Sequence, residues 1–205
     1  MGHEFLAGET VLAFDLETTG ISTNSDRIVQ IALVGSDSSG EPVNYEHLIN
    51  PRRAIPSGAS GVHGIFDSDV KGLPDFSNYA DQIHEMVEGA VIVGHNVRKF
   101  DMPMLDNEFR RIGKLPPRPK AIMDTLEIVR RVKMSRPHNL GSLCRRHGIS
   151  LENAHTAAAD AAASLLLFWR LTVDHSPMFR SCLLYTSPSP RDQRGSGVAG
   201  CGCKK

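Results

Sequence analysis

Apolar and polar positions alternate along the first fifty residues in three stretches, near 10–17, 27–35 and 42–49. Alternation with a period of two is typical of strands that bury one face. The polar run Ser38-Ser39-Gly40 separates the second stretch from the third and predicts a tight turn. We therefore expect the chain to begin with an antiparallel meander of three strands.

The pattern then changes to alternating helical segments and short apolar runs. Runs at 90–94 and 120–124 predict two further buried strands. Helices are expected near residues 76–88, 101–112, 125–132, 139–147 and 156–173. A meander followed by alternating helices and strands predicts an α/β fold, with a mixed five-stranded sheet flanked by helices.

The composition, at 40% hydrophobic and 22% charged residues, suits one globular domain. The last thirty residues are rich in Ser, Pro and Gly, which predicts disorder. Residues 182–192 look like translated adaptor or vector sequence, and a native tail that docks a partner is the alternative. Cys201 and Cys203 have no further ligands nearby in the sequence, so we expect no zinc there. The predicted parts are an N-terminal extension (1–8), the domain (9–175) and a tail (176–205).

Two acidic residues interrupt the first predicted strand. Asp15 and Glu17 would share one face, because side chains alternate along a strand, while Phe14 and Leu16 would point into the core. A hard divalent cation with oxygen ligands would remove the repulsion between the two carboxylates. For this pair alone, a solvated strand end is an equal alternative. The pair is therefore a candidate magnesium or manganese site.

Two further acidic residues lie at predicted helix starts. Asp101 follows the apolar run at 90–94, and Asp160 lies in an Ala-rich helix with His155 at its mouth. An acid among alanines and leucines would usually destabilise a packed helix, so a ligand role explains Asp160 more economically.

These segments together resemble the three exonuclease motifs of the DEDD family, histidine subtype (DEDDh). The motifs are residues 14–20, residues 95–101, and His155 with Asp160. Segments 26–32, 49–56, 62–65, 124–126 and 143–149 are similar to the epsilon proofreading subunit of bacterial DNA polymerase III and its stand-alone relatives. The second motif has the longer spacing of the three-prime repair exonucleases, with Pro103 two residues after Asp101. The resemblance covers residues 9–173 and implies a ribonuclease H-like fold.

The resemblance implies a 3′–5′ exonuclease that hydrolyses phosphodiester bonds at nucleic-acid 3′ ends and releases nucleoside 5′-monophosphates. It implies two divalent cations, Mg²⁺ or Mn²⁺, about 4 Å apart. Their ligands would be Asp15, Glu17, Asp101 and Asp160. His155 would be the general base that takes a proton from the attacking water.

Substrate contacts are also implied by the resemblance. The residues are Thr18, Thr19, Gly20, Val62, His63 and Asn96. The alternatives are a turn that only closes the strand at 18–20 and a core position for Val62. Contacts with the faces of bases would tolerate any sequence, because every base offers a face.

The net charge of zero conceals an uneven distribution. Residues 1–175 contain 18 basic and 22 acidic residues, fewer basic residues than a processive nucleic-acid binder normally carries. Two basic clusters are candidate phosphate contacts, with solvated faces as the alternative. They are Arg110, Arg111, Lys114, Arg118 and Lys120, and Arg130, Arg131, Lys133, Arg136, Arg145 and Arg146.

We expect the partner to be a nucleic-acid 3′ end, with single-stranded or frayed DNA favoured. The alternatives are an RNA-directed exoribonuclease and a catalytically silent module that binds nucleic-acid ends. A polymerase partner has no support beyond the resemblance. No apolar run reaches membrane-spanning length and the N-terminus lacks a signal-peptide core. We therefore expect no membrane partner and a cytoplasmic or other reducing compartment.

Overall fold

A computed structural model describes residues 6–151, 155–177 and 179 of the 205-residue chain. The first five residues of the predicted extension and nearly all of the predicted tail lie outside the described residues. The elements are β1 (Val11–Thr18), β2 (Ile28–Ser36), β3 (Pro42–Leu48), α1 (Ser57–His63), α2 (Asp67–Val70), α3 (Ala80–Val87), β4 (Val91–Gly94), α4 (Asp101–Arg111), β5 (Ala121–Asp124), α5 (Thr125–Arg131), α6 (Leu140–Arg146) and α7 (Ala157–Asp174). Among the described residues, no helix is both long and apolar enough to cross a bilayer.

The strands form a single sheet in the order β3-β2-β1-β4-β5. The first three strands pair antiparallel, whereas β1, β4 and β5 run parallel. The mixed five-stranded sheet and its meander are therefore confirmed. Because β1, β4 and β5 run in one direction, their carboxyl ends meet at one edge of the sheet, which we call the carboxyl edge.

Strand β1 is covered on both faces. Leu12 and Phe14 pack in a core shared with α3 and α4, whereas Val11 and Ala13 lie in a second core under α7. Ala161 of α7 is fully buried in that second core, and its small side chain lets the helix approach the sheet closely. Since faces alternate along a strand, Asp15 and Glu17 lie on the side that α7 covers.

Two short helices, α1 and α2, were missed by the sequence pattern. Helix α1 contains two glycines, which disfavour helices, and α2 has only four residues. Tertiary packing holds them, because Ala59 of α1 and Val70 of α2 pack in a small core with Val29 of β2. The single helix expected near 76–88 is a 3₁₀ turn, Phe76–Asn78, followed by α3.

Candidate metal centre and active site

The end of β1 presents two carboxylates on the α7 side of the sheet. Asp15 and Glu17 are half-buried and alternate with the buried Phe14 and Leu16. On the neighbouring strand β2, the residue opposite Glu17 is Gln30. The strand register thus places the acidic pair next to β2, at the carboxyl edge.

Helix α7 supplies a third carboxylate. Asp160 lies in its first turn, where the helix passes over β1. One oxygen from each of Asp15, Glu17 and Asp160 lies within 4.8 Å of the other two. The Oδ1 atom of Asp160 is buried and has no hydrogen-bond partner among the described residues. An unpaired buried carboxylate oxygen is costly, and a hard cation would satisfy it.

The pKa values record how unfavourable this concentration of negative charge is. Burial raises the pKa of Asp15 well above its usual range, and the charges of Asp101, Asp160 and Glu17 raise it further. Burial and Asp160 raise the pKa of Glu17 to about 7. The pKa of Asp160 is raised by burial, against the opposing effect of His155. A bound cation would reverse these shifts because it stabilises the ionised forms.

Asp101, the fourth predicted ligand, lies beside this group of three. It is the first residue of α4 and is only 3% exposed. Burial raises its pKa well above the usual range, while the backbone N–H groups of Asp101 and Leu16 lower it. Of the neighbouring charges, that of Asp101 raises the pKa of Asp15 most strongly. The structure therefore brings three of the four carboxylates within 4.8 Å and places the fourth within electrostatic reach.

His155 lies two residues before α7 and is exposed to solvent. Its φ of 70° is left-handed, which is uncommon for a residue other than glycine. Its backbone N–H and its ring both favour ionised Asp160 and lower the pKa of that carboxyl. The imidazole of His155 is therefore next to Asp160, at the cluster of three carboxylates, and open to solvent.

Gln30 holds the start of α7, and the sequence reasoning did not single it out. Its side-chain oxygen accepts the backbone N–H of Ala157, the first residue of α7, at 3.1 Å. Its amide nitrogen donates to Glu46 of β3 at 2.9 Å, which fixes the orientation of the amide. The only sequence signal was a polar residue within an apolar strand. Its contact with a residue 127 positions later could not be read from the sequence.

A buried carboxylate outside the group, Asp124, organises the second motif. It accepts the backbone N–H groups of Asn96 at 3.0 Å, Arg98 at 3.1 Å and Leu126 at 2.9 Å. The turn at Asn96 is left-handed, with φ of 67°. The last residue of β4 is Gly94. A larger residue would not fit there, because its Cβ would lie 2.9 Å from the carbonyl oxygen of Phe14. Asn96 is thus held half-buried at the carboxyl edge through its backbone.

The hydroxyls of two predicted substrate contacts are engaged inside the protein. The hydroxyl of Thr18 donates to the carbonyl of Gly20 at 2.7 Å. That of Thr19 donates to Asp26 at 3.0 Å and accepts the N–H of Arg27. Gly20 packs so tightly that a Cβ would lie 2.5 Å from the Asp26 carboxylate. These residues shape the turn after β1.

The other two predicted contacts differ in exposure. Val62 is 59% exposed, whereas His63 is buried and its Nδ1 accepts the backbone N–H of Ile65 at 3.0 Å. Burial lowers the pKa of His63, while the Thr18 carbonyl raises it. Val62 therefore presents an apolar surface to solvent, and His63 supports the end of α1.

Comparisons with known proteins agree with this geometry. The family model described as Exonuclease (RNase T) matches residues 12–168. The DNA polymerase III subunit epsilon of Treponema pallidum is 30% identical over 184 residues, 88% of this chain and 83% of that protein. The PolC-type DNA polymerase III of Halalkalibacterium halodurans is 32% identical over 84% of this chain, and an epsilon-like protein of Rhodobacter capsulatus is 37% identical over 79%.

The chain spans only 12% and 23% of the last two proteins. Among solved structures, E. coli exonuclease I in complex with a dT13 oligonucleotide is similar, with a TM-score of 0.73. The identity to it is 23%, over 84% of this chain and 43% of that one. The fold predicted from the sequence is therefore also the fold of a solved exonuclease.

Proposed function

We propose, from the premise that the chain belongs to the exonuclease (RNase T) family, that it is a metal-dependent 3′–5′ exonuclease. It would hydrolyse phosphodiester bonds at nucleic-acid 3′ ends, DNA above all, and release nucleoside 5′-monophosphates. The observation that carries the proposal is the cluster of three carboxylates, in which a buried oxygen of Asp160 has no hydrogen-bond partner in the part of the chain that the structure describes. Such a group is costly in a protein that binds no cation there.

The residues fit divalent cations with oxygen ligands, so Mg²⁺ or Mn²⁺ is proposed, as two ions. Asp15, Glu17 and Asp160 would hold them, and the buried Asp101 would complete the set. When bound, divalent cations supply positive charge to the phosphodiester and make a water molecule more acidic.

His155 is proposed as the general base. Its ring is exposed beside Asp160, so it can accept a proton from the attacking water and release it to solvent. Gln30 would keep the start of α7, and with it Asp160, in position. The terminal nucleotide would lie against the exposed Val62 and the backbone of the turn at Gly20.

DNA is proposed as the substrate because relatives are named as a DNA polymerase III of the PolC type and as the epsilon subunit of DNA polymerase III, and the solved neighbour holds an oligonucleotide of dT. The same names make a polymerase the partner to test. RNA remains the alternative substrate. A silent binding module is disfavoured, because all four carboxylates and His155 are present.

The test is a time course on matched 5′-labelled single-stranded DNA and RNA, with Mg²⁺, Mn²⁺ or EDTA. We expect the wild-type chain to shorten DNA from the 3′ end with either metal and not in EDTA. Asp15→Asn should abolish cleavage while keeping the fold, measured by circular dichroism. Glu85→Gln, which changes an exposed residue of α3, is the control purified in parallel.

Cleavage by Asp15→Asn at the wild-type rate would contradict the proposal, provided that the preparations are free of contaminating nuclease. Shortening of RNA alone would replace DNA with RNA as the substrate. Binding of 3′ ends without cleavage by a folded wild-type protein would favour the silent module.

A further inference from the structure

The two basic clusters of the sequence differ in how their charges are balanced. In the first, Arg111 forms an ion pair with the buried Glu108 at 3.0 Å, and Arg110 lies 3.6 Å from Asp106. Lys114 of this cluster pairs with Asp81. Lys120 pairs with Glu9. Most of the positive charge of the first cluster is therefore neutralised within the protein.

The second cluster has no such partners among the described residues. We call it the basic face; it consists of Arg130, Arg131, Lys133, Arg136, Arg145 and Arg146, all exposed. The sequence contains no Asp or Glu from residue 128 to residue 151. None of the six residues forms an ion pair with a carboxylate in residues 6–151, 155–177 or 179. The basic face is thus a concentration of positive charge in a domain with more acidic than basic residues.

Packing holds the three parts of the basic face together. The guanidinium of Arg146, at the end of α6, donates to the carbonyl of Ser135 in the loop after α5 at 2.8 Å. The loop is tied to α5 because the N–H of Met134 donates to the carbonyl of Val129 at 3.0 Å. Val129 and Leu143 share a core with the second half of α7. The end of α5, the loop and the end of α6 therefore form one supported surface.

The basic face also reaches the carboxyl edge of the sheet. His95 directly follows β4 at that edge, and its Nδ1 lies 2.8 Å from the hydroxyl of Thr125, the first residue of α5. Burial lowers the pKa of the His95 imidazole, Asp124 raises it, and the charge of Arg130 is close enough to lower it further. Helices α5 and α6 both pack on α7, the helix that carries Asp160. Arg130 therefore places positive charge near the carboxyl edge, where the three carboxylates also lie.

We propose that the basic face binds the phosphodiester backbone of the substrate strand, upstream of the 3′ nucleotide that is cleaved. The inference rests on the proposed function and adds to it a binding surface outside the site of cleavage. Phosphate contacts carry no sequence information, so this grip would suit an enzyme that shortens any sequence. It would also explain how a domain without overall positive charge holds a polyanion.

The test compares two double variants that remove the same charge. Arg136→Gln with Arg145→Gln changes the basic face, and Arg110→Gln with Arg118→Gln changes the first cluster. Thermal melting must show that both variants are folded. The substrates are a 5′-labelled oligonucleotide of about 20 thymidines, which is long enough to cover several contacts, and a thymidine trinucleotide.

We expect the basic-face variant to raise KM for the long substrate about five- to tenfold at low salt, with little change in kcat. The KM for the trinucleotide should not change, because it is too short to reach the face. Each lost contact should lower the slope of log affinity against log salt by about 0.7. The control variant should match the wild type in all three measurements.

Fluorescence anisotropy of the long oligonucleotide in EDTA measures binding without cleavage. A weaker salt dependence of binding in the basic-face variant alone supports the basic face as a backbone site, whether or not the wild type cleaves the substrate. A wild type that binds but cleaves nothing would refute only the proposed exonuclease activity. Equal effects of the two double variants on binding, or equal effects on long and short substrates, would overturn the basic face as a backbone site.

Discussion

Glu17 offers a direct test of whether the cluster of three carboxylates is a metal site that lowers the stability of the metal-free protein. Its carboxyl is half-buried on β1, and burial together with Asp160 raises its pKa from 4.5 to about 7. At pH 8 in metal-free protein this group is ionised in an unfavourable environment. Glu17→Gln keeps the shape of the side chain and removes the charge, so we expect the variant to be more stable than the wild type.

The magnitude follows from the shift in pKa. A rise from 4.5 to about 7, at about 1.4 kcal/mol per pH unit, bounds the cost at about 3.5 kcal/mol. Because Glu17 is partly open to solvent, we expect about half of that, roughly 1–2 kcal/mol, in the free energy of unfolding.

The dependence on pH has a defined sign. The unfolded chain releases the Glu17 proton near pH 4.5, whereas the folded chain keeps it up to about pH 7. Between these values the folded state binds more protons, so its stability falls as pH rises. The advantage of Glu17→Gln should therefore be small at pH 5 and reach its full value at pH 8.

Urea denaturation in EDTA at pH 5 and pH 8 measures this difference, with Glu85→Gln as the control for loss of one negative charge. Adding Mg²⁺ or Mn²⁺ should stabilise the wild type and not Glu17→Gln, since a ligand that binds only the folded state adds stability. Equal stability of wild type and Glu17→Gln at pH 8 in EDTA would refute the electrostatic reasoning. A stabilised variant that keeps full nuclease activity would refute the ligand role.

Two further variants test the scaffold around the site. Gln30→Leu leaves the buried N–H of Ala157 without its acceptor. We therefore expect the free energy of unfolding in urea to fall by about 1–3 kcal/mol, and kcat to fall by more than any change in KM. An unchanged kcat would contradict the positioning role of Gln30. Glu108→Ala leaves Arg27 and Arg111 without the buried carboxylate that both contact. We expect this variant to lower the free energy of unfolding by about 3 kcal/mol. A loss below about 1 kcal/mol would show that the two ion pairs of Glu108 contribute little beyond the cost of their desolvation.

The sequence was most informative where one physical rule acted alone. Alternation along β1 placed Asp15 and Glu17 on one face, because period two holds in any strand. The composition of α7 marked Asp160, since an acid among buried alanines needs a partner. These positions could be predicted because each depends on local geometry and on the cost of burying charge.

The sequence was least informative where a contact joined distant parts of the chain. Gln30 reads as an ordinary polar residue of a strand, and its role appears only when α7 packs over β2. Substrate contact by Thr18 and Thr19 stays a prediction, and the structure adds that their hydroxyls close the turn after β1. A hydroxyl that bonds its own loop and one that faces a ligand have the same sequence pattern, so only the fold separates them.

The packing of α7 explains how the chain maintains a group of carboxylates that repel one another. Ala157 and Ala161 are fully buried in the core that also contains Val11 and Ala13, so apolar burial presses the helix onto β1. That contact carries Asp160 to within 4.8 Å of the acidic pair. The unfolded chain separates these charges, so only the folded chain has the repulsion that a cation relieves. Cation affinity and folding stability are therefore linked through α7: its packing on β1 creates the site and also creates the charge repulsion that destabilises the metal-free protein.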